Sequence, residues 1–119
     1  MSEEKIYYTY MIRCEDNSIY TGITTDLKRR FFEHCTKQKE AAKYTKRHQV
    51  KFLEIAWMSK DRKLASKMEY HIKRLHKTEK EKLVNNPKLI KILLGDKLEI
   101  SEYKKVSKKM IKDINNEVK

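Results

Sequence analysis

Hydrophobic positions along the 119-residue chain change period several times, and each change marks an element. Residues 6–14, IYYTYMIRC, are dense in β-branched and aromatic side chains and predict a strand. EDNS at 15–18 supplies turn residues, and IYTGIT at 19–24 predicts a second strand, so the two form a hairpin. Asp26 then stands as the cap of a helix to about Cys35. Its apolar side holds Leu27, Phe31 and Cys35, with Arg30 and His34 in the same stripe. A basic connection follows, in which EAAKYTK at 40–46 predicts a short helix, and VKFLEIAW at 50–57 predicts the third strand. Ser59 offers a cap for a long helix to about His76, with Leu64, Ala65, Met68, Ile72 and Leu75 inward. TEKE at 78–81 has the form of a capping box with Glu81 at the third helical position. Asn86-Pro87 starts a further helix that Gly95 stops, and Ser101 opens a last amphipathic helix with Tyr103, Val106, Met110 and Ile114 inward.

The order β-β-α-β-α predicts an α+β fold: a small three-stranded, largely antiparallel sheet flanked by helices, followed by a C-terminal helical tail. Residues 1–85 are expected to form one domain and 86–119 a helical extension, which either packs on the core or stands partly apart. No repeat or low-complexity tract interrupts the chain.

Three positions fit this pattern poorly. Gly22 lies inside a strand, on the same side as Tyr20, and Tyr10 joins that side if the hairpin register is even. Glycine there means either a twisted hairpin with packed tyrosines or a close approach by backbone or ligand. Arg30 and His34 project together at i,i+4 on the border of a packed face. A guanidinium there either reaches water or needs an anion, and phosphate matches its planar fork. Glu69 leaves the inward stripe of Ala65, Met68 and Ile72, where a carboxylate calls for a metal, a proton or an arginine such as Arg30.

Composition narrows the partner. Hydrophobic and charged residues each make up 39%, and 29 Lys or Arg against 17 Asp or Glu leave a formal charge of +12. Such a surface attracts polyanions, nucleic acid first. No apolar run reaches the roughly 20 residues of a membrane span. The start, MSEEKIYYTY, lacks the basic-then-apolar layout of a secretory signal, so a cytoplasmic location is expected. Cys14 and Cys35 have no metal-ligand or disulfide-framework spacing and read as small buried hydrophobes.

YTY at 8–10, YTG at 20–22, Asp26, Arg30, His34 and the distant Glu69 together resemble the GIY-YIG nuclease superfamily. The named motif has drifted: Tyr8 stands for its first glycine, and Thr9 and Thr21 for its isoleucines. YTGITTDLKRRFFEH, with AKYT at 42–45 and EYHIKRL at 69–75, looks most like the small stand-alone bacterial branch, similar to the catalytic module of the excision-repair endonuclease. The resemblance covers about residues 6–84.

It implies metal-dependent hydrolysis of phosphodiester bonds in DNA rather than RNA, structure-selective or nonspecific, in DNA repair or recombination. It makes Glu69 the one direct protein ligand of a single Mg²⁺ or Mn²⁺, an ion that keeps several waters. Tyr20 would orient or deprotonate the attacking water with support from Tyr10. Arg30 would stabilise charge on the phosphoryl oxygens, and His34 would assist proton transfer or position the phosphate. Gly22, Lys28, Arg29, Lys43, Tyr44, Thr45, Lys46 and Arg47 are the expected nucleic-acid contacts, in a segment (26–47) with eight Lys or Arg against three acids. Several branches carry a further asparagine after the glutamate; Asn85 and Asn86 are available, and neither aligns with it. The competing expectation is a module on the same fold that grips DNA or RNA without efficient cleavage.

Overall fold

The computed structural model describes residues 5–36 and 47–118. The element order is β1 (Tyr7–Cys14), β2 (Ile19–Thr24), α1 (Leu27–Thr36), β3 (Val50–Ser59), α2 (Arg62–Lys73), α3 (Lys77–Asn85), α4 (Ile90–Leu94), β4 (Lys104–Lys105) and α5 (Lys108–Val118). The short helix expected at 40–46 lies outside the described residues.

The sheet is antiparallel throughout, in the order β2-β1-β3-β4, which makes an α+β fold with one strand more than the three expected. The extra strand comes from the tail. Lys104 and Lys105 pair with Met58 and Trp57, and Val106 N–H donates to the Ala56 carbonyl at 2.9 Å. The helix expected from Ser101 therefore begins only at Lys108, where the Ser107 hydroxyl accepts from Met110 N–H at 3.1 Å. The amphipathic period of 101–106 loses to β3, whose outer edge would otherwise leave backbone groups unpaired.

One face of the sheet packs Tyr10, Ile12, Leu53 and Ala56 against Leu27 and Phe31 of α1 and Val106 and Ile114 of the tail. The opposite face packs Met11, Ile55 and Trp57 against Met68 and Ile72 of α2, Leu83 of α3, and Ile90, Leu94 and Leu98. Residues beyond 85 thus enter both layers, which settles the alternatives left open for the tail: it packs on the core. Asn115 also completes β3. Its side chain accepts from Leu53 N–H at 2.8 Å and donates to Leu53 C=O at 3.0 Å, where β4 does not reach.

Local chemistry explains where helices begin. Asp26 caps α1 by accepting from Arg29 N–H at 3.1 Å. For α2 the cap is Asp61, not Ser59: its carboxylate accepts from Leu64 N–H at 2.8 Å, while Ser59 remains in β3 opposite Tyr7. The capping interaction of α3 also lies two residues earlier than TEKE suggests, with His76 N–H donating to Glu79 at 2.9 Å. Glu81 is drawn away by Arg13. That buried arginine donates to both Glu81 oxygens at 2.5 and 2.6 Å and to Glu54 at 2.9 Å, tying β1, β3 and α3 together. Glu54 is free to reach it because a bulge pairs Ile12 with Leu53 and leaves Glu54 out of register. Among the described residues, no helix is long and apolar enough to cross a membrane.

Candidate active site

Hairpin register assembles the first half of the site. Tyr10 pairs with Gly22 and Ile12 with Tyr20, so the two tyrosines and the glycine share one face, with ring centroids 6.3 Å apart. The pairing also explains Gly22. A Cβ there would lie 2.6 Å from the Tyr10 hydroxyl oxygen and 2.8 Å from the ring carbon bearing it. Gly22 is itself buried, and the close approach it admits in this structure is that of the Tyr10 phenol.

The second half comes from α1. Phe31 and Leu27 anchor the helix on the sheet, and His34, one turn beyond Arg30, is carried into the same interface and fully buried. His34 Nε2 lies 2.8 Å from the Tyr10 hydroxyl, and its ring stands 5.3 Å from that of Tyr20. Burial holds His34 at a pKa of about 4, helped by the Arg30 charge, so the imidazole is neutral at physiological pH. Burial likewise pushes Tyr10 far above the ordinary phenol value, although a hydrogen bond from Arg30 opposes it. The Tyr10 hydroxyl shares its hydrogen bond with His34, and the Arg30 charge lies near enough to act on both groups. Arg30 also bonds Glu33 at 3.0 Å on its own helix and keeps about a fifth of its side chain in solvent.

Glu69 reaches this cluster from α2, which lies under the other face of the sheet and packs on β1 and β2. Its carboxylate is a quarter exposed and pairs with Lys73 at 3.3 Å; the Lys73 ammonium sits 5.7 Å from the centre of the Tyr20 ring. Burial raises the Tyr20 pKa, Lys73 and Arg30 lower it, and Glu69 raises it again, with a net upward shift. Tyr20 is therefore a neutral phenol at pH 7. Tyr10, Tyr20, Arg30 and His34 gather on this face, and Glu69 comes near enough from α2, beside Lys73, to act on both phenols. The chain thus brings together two phenols, one partly solvated guanidinium and one partly exposed carboxylate.

Other expected contacts are distributed differently. Lys28 and Arg29 lie exposed on α1, with Lys28 paired to Glu117 at 2.5 Å and Arg29 to Glu33 at 3.8 Å. Arg47 is exposed, and Lys43, Tyr44, Thr45 and Lys46 lie outside the described residues. Asn85 lines a groove with Glu54, Pro87 and Lys108, away from the tyrosines. Sequence reasoning missed Lys73 and Glu33 as members of the site. Their signal was helical spacing: Lys73 follows Glu69 by four and Glu33 follows Arg30 by three. Among the described residues no group of three or more His, Cys, Asp or Glu is placed to hold a metal, so Glu69 would bind an ion only with water and substrate oxygens.

Fold and site together are those of a small α+β domain with a cluster of tyrosines and charged groups at its hairpin. Residues 6–82 match the model of the GIY-YIG catalytic domain, and the chain belongs to the GIY-YIG nuclease family. It is 42% identical over 81 residues to the UPF0213 protein FN1575 of Fusobacterium nucleatum, covering 68% of this chain and 79% of that one. Against the UPF0213 protein YhbQ of Salmonella typhimurium it is 42% identical over 89 residues, 75% of this chain and 87% of the other. A solution NMR structure of the UPF0213 protein BH0048 from Bacillus halodurans is 37% identical, covers 67% of this chain and 83% of its own, and superposes with a TM-score of 0.44. The chain is thus similar to small bacterial proteins of the UPF0213 group.

Proposed function

We propose that the protein is an endonuclease that hydrolyses phosphodiester bonds in DNA, using one divalent ion, Mg²⁺ or Mn²⁺, at Glu69. The observation that carries this reading is the gathering of Tyr10, Tyr20, Arg30, His34 and Glu69 from four separate elements into one cluster. A single, partly hydrated carboxylate suits a hard ion that retains most of its waters. When bound, the ion would polarise the phosphoryl group. Arg30 meets the charge that grows on the phosphoryl oxygens, from a guanidinium already held by Glu33. Tyr20, a neutral phenol, orients the attacking water. As the water oxygen bonds to phosphorus it gives up a proton to solvent, the bond from phosphorus to one sugar oxygen breaks, and that departing oxygen takes a proton from solvent. Tyr10 and His34 are positioning residues. Both are buried, so neither reaches a phosphate, and they hold Arg30 and Tyr20 in place. Likeness to the excision-repair module supports repair or recombination as the setting.

The second reading, a DNA- or RNA-gripping module without efficient cleavage, is favoured by one observation. Arg30 and Glu69 already hold partners, Glu33 and Lys73, that a substrate and a metal would have to displace. Plasmid nicking with and without Mg²⁺ or Mn²⁺ separates the two. The wild type is expected to nick only with metal. Glu69→Gln and Arg30→Ala are expected to abolish nicking while leaving stability within about 1 kcal/mol, as changes at active sites often do. Loss of stability with nicking retained by the folded fraction would make both residues structural.

A further inference from the structure

Lys63, Lys67, Tyr70 and Arg74 follow one another at intervals of four, three and four, which on a helix draws a straight stripe. All four are exposed on the outer side of α2 and its C-terminal cap, opposite the Ala65, Met68 and Ile72 that face the sheet. Tyr70 is 56% exposed, more than any other aromatic ring among the described residues whose exposure stands out. It is not loose. The Arg74 guanidinium lies 5.4 Å from its ring centre, and His71 meets it edge-on at 5.1 Å and 85°. Among the described residues Lys63, Lys67 and Arg74 take part in no ion pair, whereas Lys73, one position round the helix, is engaged by Glu69. A large apolar ring held in water between cations that remain unneutralised gains nothing for the core. Tyr70 also directly follows Glu69, so the stripe and the carboxylate are carried by one helix.

We propose that this stripe is a track for an unpaired nucleic-acid strand, in which Tyr70 stacks on a base and Lys63, Lys67 and Arg74 hold the flanking phosphates. The proposal rests on the reading of the chain as a nucleic-acid enzyme and adds the form of its substrate: a strand with an exposed base face beside the cleaved bond. A base within a duplex is already stacked on both faces, so a tyrosine on a convex helix gains only from one that is unstacked. Phosphate contacts alone would favour the duplex, with its higher charge density.

The test is binding of the full-length chain, without divalent metal, to a labelled oligothymidylate and to a hairpin duplex of equal length, followed by fluorescence anisotropy. Tyr70→Ala is expected to weaken the single strand on the order of tenfold or more and the duplex by less than about twofold, with Tyr70→Phe close to wild type. Lys63→Ala should weaken both ligands and reduce the salt slope by roughly 0.7 to 0.9. Equal loss on both ligands, no loss, or a phenylalanine variant as weak as alanine would overturn the track. Nicking that persists while binding ignores Tyr70 refutes the track and leaves the nuclease standing. Tyr70-dependent binding without any metal-dependent cleavage upholds the track and removes the nuclease.

Discussion

Gly22→Ala is the smallest change that tests how tightly the Tyr10 phenol is held. The ring is 1% exposed and bonded to His34, so it cannot swing into solvent to relieve a contact of 2.6 Å. The substitution is expected to cost about 1–3 kcal/mol, the usual range for overpacking, with its loss read from urea denaturation. His34 makes a different prediction, in pH. Its folded pKa is about 4 against an ordinary 6.5, so between those values the unfolded chain binds the proton first. The stabilisation from the neutral imidazole is complete above about 6.5 and drains away as pH falls toward 4. Denaturation midpoints should decline across that window, and His34→Gln, which has no proton to take up there, should flatten the decline.

Among the elements, Arg13 is the joint between β1, β3 and α3. Removing it takes the shared cation from Glu54 and Glu81 and leaves Glu81 with Lys77 alone, at 3.1 Å. Loss of one partner of a buried pair costs about 3–5 kcal/mol, and both carboxylates here keep some contact with water, so Arg13→Ala is expected to cost about 2–3 kcal/mol. Its bond to Arg13 lowers the Glu81 pKa from 4.5 to about 2. That part of the stability is present above pH 4.5 and lost as pH falls toward 2, below the His34 window. Urea titrations of wild type and Arg13→Ala at pH 7 and pH 3 should therefore differ more at the higher pH.

At the scale of the whole molecule, the tail decides whether the sheet is covered. Val106 and Ile114 close one face, Ile90, Leu94 and Leu98 the other, and each is under a tenth exposed. A chain ending after Asn85 would bare both faces along with the outer edge of β3. Such a truncation is expected to lose cooperative unfolding, measured by circular dichroism on heating, rather than to leave a stable catalytic unit. A tail that merely added grip on substrate would leave that transition in place.

Much of this was legible in residue order alone. Runs dense in β-branched, aromatic and other apolar residues at 6–14, 19–24 and 50–57 mark three strands, and the apolar stripes of α1 and α2 are set by side chains that have nowhere else to go. Even the chemistry of the site showed as misfits: a glycine in a strand, an arginine and a histidine on a packing face, a carboxylate in an inward stripe. Those signals are local, because they depend on the spacing of neighbours along one element. Long-range competition decided the rest. Residues 100–106 carry a helical pattern and become a turn and a strand, because β3 offers backbone partners and Leu64 offers its carbonyl to the Tyr103 hydroxyl at 2.7 Å. Glu81 has the spacing of a cap and instead answers a buried guanidinium 68 positions away. The role of Gly22 turned on which ring lies across the hairpin, a matter of register. His34 could have faced a phosphate or the core; its full burial against Tyr10 goes with the packing of Leu27 and Phe31 on the same face of the sheet. In each case the sequence determined what a segment could do by itself, and tertiary structure chose the partner, since a buried donor or charge is stable only where another element supplies its match.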